Sequence, residues 1–461
     1  MPAAPLAPLE PARVEELRGT VSNLMPSLTD ELAELVKLPS CAFPAYPSEP
    51  VLACAEAVAD LMSRSGMPSV ELLDVPGGYP AVLAEAPAPP GAPTVLLYAH
   101  YDVQPPGDLS EWGAGPYEPD VREGRLYGRG AADDKSGVVM HAGAAQALRA
   151  GTGGLPVGLK ILVEGEEETE SHIGPYIVGN VDRVRADVII VADVGNLRVG
   201  EPVLAASLRG HVQLTVEVRS LRAPVHSGMY GGAAPDALAA LIRMLSTLHA
   251  ADGSVAVAGL RSGAWQGAEF PEEALRSAAG VLPGVGLVGS GSIASRLWAQ
   301  PSVTVLGIDA PTVDHAANVL IPRARAKIGL RIVPGEDPQV AVDAIIAHLT
   351  ANIPWGVDVS YTPGKLAPGF SAATSGPGYE AAREAMRHAY GRPAGSAGLG
   401  GSIPLVDLLN RLMPDAEVIL WGAEDFESSK IHAEDESVDL GELERCVLQE
   451  ALLLESLAPR A

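Results

Sequence analysis

Three short, unbroken apolar runs in the first two hundred residues constrain the fold more than any other feature of the sequence. They are TVLLYA at 94–99, LKILVEG at 159–165 and DVIIVAD at 187–193. A strand that is apolar on both faces is buried on both faces, which is typical of a largely parallel sheet with helices on either side. Residues 136–150 have helical spacing and few helix breakers, so they supply a crossover helix between two of these strands. The sequence therefore predicts an α/β fold with a mixed, mostly parallel sheet.

The pattern changes after about residue 205 to an alternation of polar and apolar residues. Such alternation buries one face of a strand and leaves the other in water, as in an open antiparallel sheet. Alternating segments occupy 211–218, 323–333 and 357–362, and apolar helical stretches occupy 235–250 and 337–353. The order of strands and helices fits a split βαβ layer, so we predict a ferredoxin-like α+β domain here.

The first pattern returns from about residue 366, with a helical segment at 377–391 and an apolar strand in AEVILWG at 416–422. We therefore predict a first domain built from residues 1–205 and 366–461, into which a second domain at 206–365 is inserted. Residues 251–300 are rich in Gly and receive no assignment from the sequence.

Charge and composition exclude several classes of partner. The formal net charge of -25 repels nucleic acid phosphates and anionic lipid headgroups, so neither is expected to bind. The N-terminus lacks a basic start, and no run approaches the roughly 18 apolar residues that cross a bilayer. Cys41, Cys54 and Cys446 are too widely spaced for a disulfide framework or a metal clip. We predict a cytoplasmic protein.

Ionisable residues cluster just after the predicted strands, or in the loops that follow them. The C-terminal ends of strands are where open α/β sheets gather their ligand sites. The candidates are His100, Asp102, Asp133, Glu167, Glu168 and Asp193. Adjacent carboxylates at a strand end suit a metal site in which one carboxylate binds metal and its neighbour faces a bound water.

Each candidate also has an ordinary structural interpretation. Asp133 directly precedes a predicted helix, where Asp is a common cap, and the acidic run around Glu167 is unremarkable on a solvated face. Asp102 lies two residues after His100 on the same face of an extended segment, so it can accept a hydrogen bond from the ring nitrogen that does not bind metal. His432, in SSKIHAEDES, carries no strong signal of its own. The shared position of the others at strand ends favours a site.

Seven short motifs follow one another along the chain: HYD at 100–102, GRGAADDK at 128–135, EGEEE at 164–168, AD at 192–193, HSGMYGG at 226–232, GGSIP at 400–404 and IHAEDE at 431–436. In this order they resemble one family of metallopeptidases, which comprises aminoacylases, carnosinases, glutamate carboxypeptidases, succinyl-diaminopimelate desuccinylases and bacterial dipeptidases. The resemblance covers about residues 30–450.

The resemblance implies a centre of two divalent metal ions, with zinc expected and cobalt or manganese as alternatives. His100, Glu168, Asp193 and His432 would be terminal ligands, Asp133 would bridge the ions through its carboxylate, and Glu167 would be the general base. A cis peptide after the bridging Asp133 is a further family feature, and Asp134 is expected to shape the loop.

The resemblance also implies substrate contacts and a partner. The inserted domain would act as a lid and a dimerisation domain, and His226 would reach the oxyanion of the substrate in the other subunit of a homodimer. Arg331 would clamp a substrate carboxylate, and Asn318, Gly401 and Ser402 would complete substrate binding.

The predicted function is metal-dependent hydrolysis of amide bonds in small peptide or acyl-amino-acid substrates with a free carboxylate, with a dipeptidase as the first choice. An N-acyl amino acid deacylase or desuccinylase would keep the same metal residues. Two other functions are alternatives. One is an enzyme that uses the same metal site to form amides, and the less favoured one is a metal-binding protein without catalysis. Ser136, Glu170, Leu399 and Asp435 depart from the usual pattern and leave the substrate in doubt.

Overall fold

The computed structural model describes residues 9–152 and 154–459. Its longer helices are Pro11–Val36, Glu49–Arg64, Lys135–Thr152, Ile173–Gly179, Ala237–Ser246, Glu272–Ala278, Pro338–Ala351, Pro377–Tyr390, Pro404–Leu412 and Leu440–Ser456. Short helical turns are Leu109–Glu111, Val181–Val184, Ser227–Tyr230, Ser295–Ala299, Val313–His315 and Pro354–Gly356.

The largest sheet is mixed and has six strands. Their order across the sheet is Ser69–Leu73, Ala81–Ala86, Gly158–Glu164, Thr94–His100, Val188–Val191 and Glu417–Leu420. The last four run parallel to one another, and the first two form an antiparallel edge. The three apolar runs thus form buried, parallel strands, and the predicted fold class is confirmed.

Helices cover both faces of this sheet, which explains why its strands are apolar throughout. In the central strand Thr94–His100, Val95 and Leu97 join one core, to which the helix Lys135–Thr152 contributes. Leu96 and Tyr98 point to the other face and join a second core. Because successive side chains alternate between faces, a strand between two helical layers needs apolar residues at every position.

The second sheet has four antiparallel strands. Their order is Ser302–Asp309, Arg323–Ile332, Gly210–Arg219 and Asp358–Ala367. The helices Ala237–Ser246 and Pro338–Ala351 share one core with this sheet, which completes the predicted ferredoxin-like order. We call this sheet with its two helices the lid. The boundaries at residues 205 and 365 stay a prediction.

Aspartate caps fix the starts of three helices. The side chains of Asp236, Asp337 and Asp439 accept hydrogen bonds from the backbone N–H groups of Ala239, Gln339 and Glu442. Each cap satisfies a donor that has no partner within its own helix, and loss of such a cap costs about 1 kcal/mol.

The unassigned stretch 251–300 contains the helix Glu272–Ala278 and little other regular structure. Phe270, Ile293 and Trp298 pack into a small core with Val203 and Ala397, which belong to segments outside this stretch. The stretch therefore joins the lid to the rest of the molecule through a local apolar core.

Four small sheets complete the described structure. Their strands are Asp120–Arg122, Arg125–Tyr127 and Ser437–Asp439; Gly195–Asn196 and Glu424–Asp425; Val203–Leu208, Phe370–Ser371 and Gly395–Leu399; and Val225–His226 and Val319–Leu320. Across 9–152 and 154–459, none of the helices combines the length and apolarity that a membrane crossing requires. Cys41, Cys54 and Cys446 are buried free thiols.

Candidate metal centre

Parallel strands that end at one edge of the large sheet bring the predicted ligands together. His100 is the last residue of the central strand and lies opposite Glu164 in the neighbouring strand. Asp193 follows the strand Val188–Val191 by two residues. Asp133 reaches the same place from the loop before the helix Lys135–Thr152. The sequence prediction rested on the position of these residues at strand ends or in the loops that follow, and we call this the strand-end rule. The residues it selected are neighbours in space.

Two groups of potential metal ligands share one carboxylate. In the first group, His100 Nε2 lies 3.0 Å from Asp133 Oδ1 and 3.7 Å from Asp193 Oδ1. In the second group, His432 Nε2 lies 3.0 Å from Asp133 Oδ2 and 3.3 Å from Glu168 Oε1. The ligand atoms of each group lie within 4.8 Å of one another. The two oxygens of Asp133 thus face two different histidines, as a bridging carboxylate would.

The donor set suits divalent cations. Imidazole and carboxylate together are ligands for Zn²⁺ and other first-row transition metals. Glu168 Oε1 is buried and makes no hydrogen bond. Burial raises the pKa of Glu168 to about 7, with Asp133 as the next cause, and burial also raises the pKa of Asp193. Such a concentration of buried carboxylates is costly unless a cation compensates its charge, so these residues fit metal ions.

Glu167 lines the same cavity but belongs to neither group of ligand atoms found in the described residues. Burial, followed by the charge of Asp193, raises its pKa well above the ordinary value. A carboxylate beside the ligands, rather than among them, is free to accept a proton.

Asp102 holds both sides of the centre in place. Its carboxylate oxygens accept the backbone N–H groups of Glu167 at 3.0 Å and Glu168 at 3.1 Å. His100 Nδ1 lies 3.1 Å from the Asp102 carbonyl oxygen and 3.4 Å from its Oδ1. The sequence prediction placed the carboxylate on the histidine ring, whereas the shorter contact of the ring is to the carbonyl because the carboxylate binds two backbone amides.

The loop that carries Asp133 is fixed by two further carboxylates. The peptide between Asp133 and Asp134 is cis, as the family resemblance implied. Asp134 accepts the backbone N–H groups of His100 and Gly137, each at 3.2 Å. Glu436 is fully buried, pairs with Arg129, and accepts the N–H of Asp133 at 3.1 Å. Glu436 has no role predicted from the sequence, although it is the last residue of the motif that contains His432.

A cavity of about 800 Å³ opens on the candidate metal centre, and we call it the cleft. Asp133, Glu167 and His432 line it, and so do predicted substrate-binding residues. The residues predicted to bind substrate that lie on its wall are Arg331, Gly401 and Ser402. Arg331 Nη1 donates to Ser402 Oγ at 3.2 Å. The cleft therefore brings a guanidinium group from the lid into one space with the metal ligands.

His226 and Asn318 lie together, but the residues described along the cleft do not include them. The strand Val225–His226 pairs with Val319–Leu320, and Asn318 accepts the backbone N–H of Ser227 at 2.9 Å. His226 is exposed, and its Nδ1 accepts the backbone N–H of Gly228 at 3.0 Å. These two predicted residues are thus not among those described along the cleft of their own chain.

Glu424 is a cleft residue that the sequence analysis missed. It lies in the short strand beside Gly195–Asn196 and is only 8% exposed. Its Oε1 has no hydrogen-bond partner, and burial together with Asp133 and Asp193 raises its pKa well above the ordinary value. Glu424 follows the apolar strand AEVILWG, so the strand-end rule that selected Asp193 applies here too.

Comparison with known proteins identifies the family. Residues 96–456 match the model of peptidase family M20/M25/M40. The cysteinylglycine-S-conjugate dipeptidase of Corynebacterium striatum is 39% identical over 369 residues, which are 79% of this chain and 81% of that protein. The Beta-Ala-His dipeptidase of Rattus norvegicus is 29% identical over 382 residues, 78% of this chain and 76% of the relative.

Solved structures share the fold over almost the whole chain. The dipeptidase Dug1p of Saccharomyces cerevisiae superposes with a TM-score of 0.82 at 21% identity, covering 96% of this chain and 98% of the other. Human carnosine dipeptidase 1 also gives 0.82, at 24% identity, with 98% and 100% covered. The predicted family and enzyme class are confirmed. The chain belongs to peptidase family M20/M25/M40 and, within it, to the branch that contains these dipeptidases.

Proposed function

We propose that this protein is a dipeptidase that uses two divalent metal ions, with zinc as the first choice and cobalt or manganese as alternatives. The observation that carries the proposal is the position of Asp133, whose two carboxylate oxygens face His100 and His432. Asp193 and Glu168 complete one ligand group each. The names of the curated relatives in the same family support a dipeptide as the substrate.

Two cations at this centre would supply Lewis acidity, which polarises a carbonyl group and favours ionisation of a water molecule. Glu167 accepts a proton from the attacking water and delivers it to the nitrogen that leaves with the second product. Asp102 holds the backbone of Glu167 and the ring of His100 in fixed relative positions. Because the base and the ligands share one support, the distance between them is set before substrate binds.

The cleft offers one charged group for each end of a dipeptide. Arg331 offers a planar fork of donors that suits a terminal carboxylate, and Ser402 lies beside it. Glu424 places a buried carboxylate without a hydrogen bond to its Oε1 on the wall near Asp193. A free α-ammonium group would compensate that charge, whereas an acylated nitrogen would not. Glu424 therefore favours a dipeptidase over a deacylase.

A substrate panel tests this assignment. Each of several dipeptides is supplied with both ends free, as the C-terminal amide and as the N-acetyl derivative, and released amino acids are quantified. We expect hydrolysis of the free dipeptides, with a loss of about 100-fold or more in kcat/KM when either end is blocked, since a buried charge then loses its partner. Preferred hydrolysis of the N-acetyl forms would instead identify a deacylase. Condensation without hydrolysis would identify an amide-forming enzyme.

Metal removal gives a second expected result. Dialysis against a chelator should abolish hydrolysis, and Zn²⁺, Co²⁺ or Mn²⁺ should restore it at about two ions per chain, measured by elemental analysis. Ca²⁺ is the matched control, because it prefers six to eight oxygen ligands and has little affinity for imidazole. Full activity in metal-free protein, or restoration by Ca²⁺ alone, would contradict the metal centre.

We further propose a homodimer in which His226 and Asn318 contribute to the active site of the partner subunit. Neither residue is among those described along the cleft of its own chain, which supports this arrangement, since a substrate-binding role then requires a second copy. A cytoplasmic location is also proposed. Three buried free thiols suit a reducing compartment.

A further inference from the structure

Most of the charges that line the cleft are sorted between its walls. The acidic residues Asp133, Glu167, Glu168, Asp193, Glu424 and Asp425 come from the strand ends and loops of the large sheet, and this wall carries one lysine, Lys430. The wall formed by the lid sheet contributes Arg331, Lys365, His211 and Gln213, and no acidic side chain among the residues described there. The cleft is therefore bipolar, and its positive wall holds more than the one guanidinium that a single substrate carboxylate needs.

Strand register places these side chains on one face of the lid sheet. His211 lies directly opposite Arg331 in the antiparallel pair of Gly210–Arg219 and Arg323–Ile332. Val212 and Leu214 point into the lid core, so His211 and Gln213 point the other way, towards the cleft. Residues directly opposite in such a pair have Cβ atoms about 5 Å apart. His211 and Arg331 are thus immediate neighbours on the cleft wall.

A local irregularity brings Lys365 to the same wall. The pairing of Gly210–Arg219 with Asp358–Ala367 shifts between Val212 and Leu214, next to Gly364. A Cβ at Gly364 would lie 3.1 Å from the Cβ of Gln213, so the glycine allows the two strands a close approach here. Lys365 follows immediately and lines the cleft.

These cleft cations lack acidic partners in the part of the chain that the structure describes. Elsewhere on the same sheet face, Arg325 pairs with Asp309 and Arg219 pairs with Glu217. No ion pair within 9–152 and 154–459 includes Arg331 or Lys365. Burial, followed by the charges of Arg331 and Lys365, lowers the pKa of His211 to about 4. His211 is therefore a neutral hydrogen-bonding group between two cations.

We propose that Lys365 and His211 form a second anion subsite beside Arg331, so that preferred substrates are dipeptides whose C-terminal residue has an acidic side chain. This inference rests on the dipeptidase function proposed above, in which Arg331 binds the terminal carboxylate. The side-chain carboxylate of a C-terminal Asp or Glu then lies near Lys365 and accepts hydrogen bonds from that ammonium group or the imidazole.

Matched substrates test the subsite. Ala-Glu and Ala-Gln have nearly the same shape and differ in charge, so the ratio of their kcat/KM values isolates the recognition of the carboxylate. We expect the wild-type protein to prefer Ala-Glu by about tenfold, as for a hydrogen bond to a charged group, and the preference to shrink with added salt. Lys365→Gln should reduce the ratio to near one. His211→Phe should reduce it by a smaller factor.

Lys327→Gln is the control, because Lys327 is exposed on the same sheet face and lies outside the residues described along the cleft. It should leave the ratio unchanged. An equal preference for Ala-Gln in the wild-type protein, or a ratio that Lys365→Gln does not change, would overturn the second subsite. Lys365 is exposed, so loss of folding is not expected to complicate this variant.

Binding of free amino acids separates this proposal from the proposed function. Glutamate and glutamine are titrated into the metal-loaded protein by calorimetry, and glutamate should bind about tenfold more tightly, with the difference lost in Lys365→Gln. If no dipeptide is hydrolysed but this difference in binding remains, the dipeptidase function fails and the anion subsite stands. If dipeptides are hydrolysed and glutamate has no advantage, the subsite fails and the dipeptidase function stands.

Discussion

Glu167→Gln should lower kcat for dipeptide hydrolysis by about 10²- to 10⁴-fold while the protein keeps its metal ions, in line with the typical contribution of general acid–base catalysis. Glutamine has the shape of glutamate but cannot take a proton from water at neutral pH. The backbone N–H of residue 167 still donates to Asp102 Oδ1, so the supporting contact survives. Single-turnover rates and metal content, measured on the same sample, check the prediction.

Glu170→Gln is the matched control for this experiment. Glu170 belongs to the same acidic run, but its side chain is exposed, and its replacement should change kcat by less than about twofold, as at most surface positions. Near-normal turnover in Glu167→Gln would remove Glu167 as the base. Loss of metal in this variant would instead make Glu167 a ligand.

The strands and the first half of the site were predictable because both follow from one rule. A strand buried on both faces must be apolar, and its polar successor marks the edge where parallel strands end together. His100 and Asp193 come from two such strands that pair directly. The parallel pairing of these two strands, which the structure shows, brings the two residues together.

His432 could not be found in this way, because no strand leads directly into it. It lies in a loop with a backbone φ of 65° and reaches Asp133 only through tertiary structure. Its prediction depended entirely on the family motif. Glu424, by contrast, was predictable, because it closely follows the strand Glu417–Leu420 at the edge of the sheet where the parallel strands end.

The lid was predicted in outline for a related reason. The strands Gly210–Arg219 and Arg323–Ile332 alternate between buried and exposed residues, so period two reveals them. The sequence did not predict the strand Ser302–Asp309. Almost all of its residues are exposed, so buried and exposed positions do not alternate along it. A strand at the edge of a sheet that is exposed on both faces needs no alternation of polar and apolar residues. Its sequence therefore gives little sign of a strand.

The position of His226 determines whether one subunit can form a complete active site. His226 lies in the segment between the lid strand Gly210–Arg219 and the lid helix Ala237–Ser246. It is exposed and is not among the residues described along the cleft of its own chain. If it stabilises the oxyanion, the donor must come from the other copy in a dimer. His226→Ala should then lower kcat by about 10²- to 10³-fold, as for loss of one oxyanion donor, without loss of metal.

A heterodimer distinguishes a shared site from a site within one chain. His226→Ala and Glu167→Gln subunits carry different affinity tags, are coexpressed, and are purified over both tags. In a shared arrangement, the His226→Ala subunit keeps its own Glu167 and receives His226 from the partner subunit, so one of the two sites is complete. We expect about half of the wild-type activity per dimer, although each variant alone is nearly inactive.

If His226 acted within its own chain, both sites of this heterodimer would lack one essential group, and activity would stay at the level of the single variants. Failure of the two tags to copurify would contradict the homodimer itself. Recovery, by contrast, requires both a stable dimer and exchange of His226 across it. It would also explain why a residue needed for catalysis lies exposed outside the cleft of its own chain, since it would reach a substrate only in the dimer.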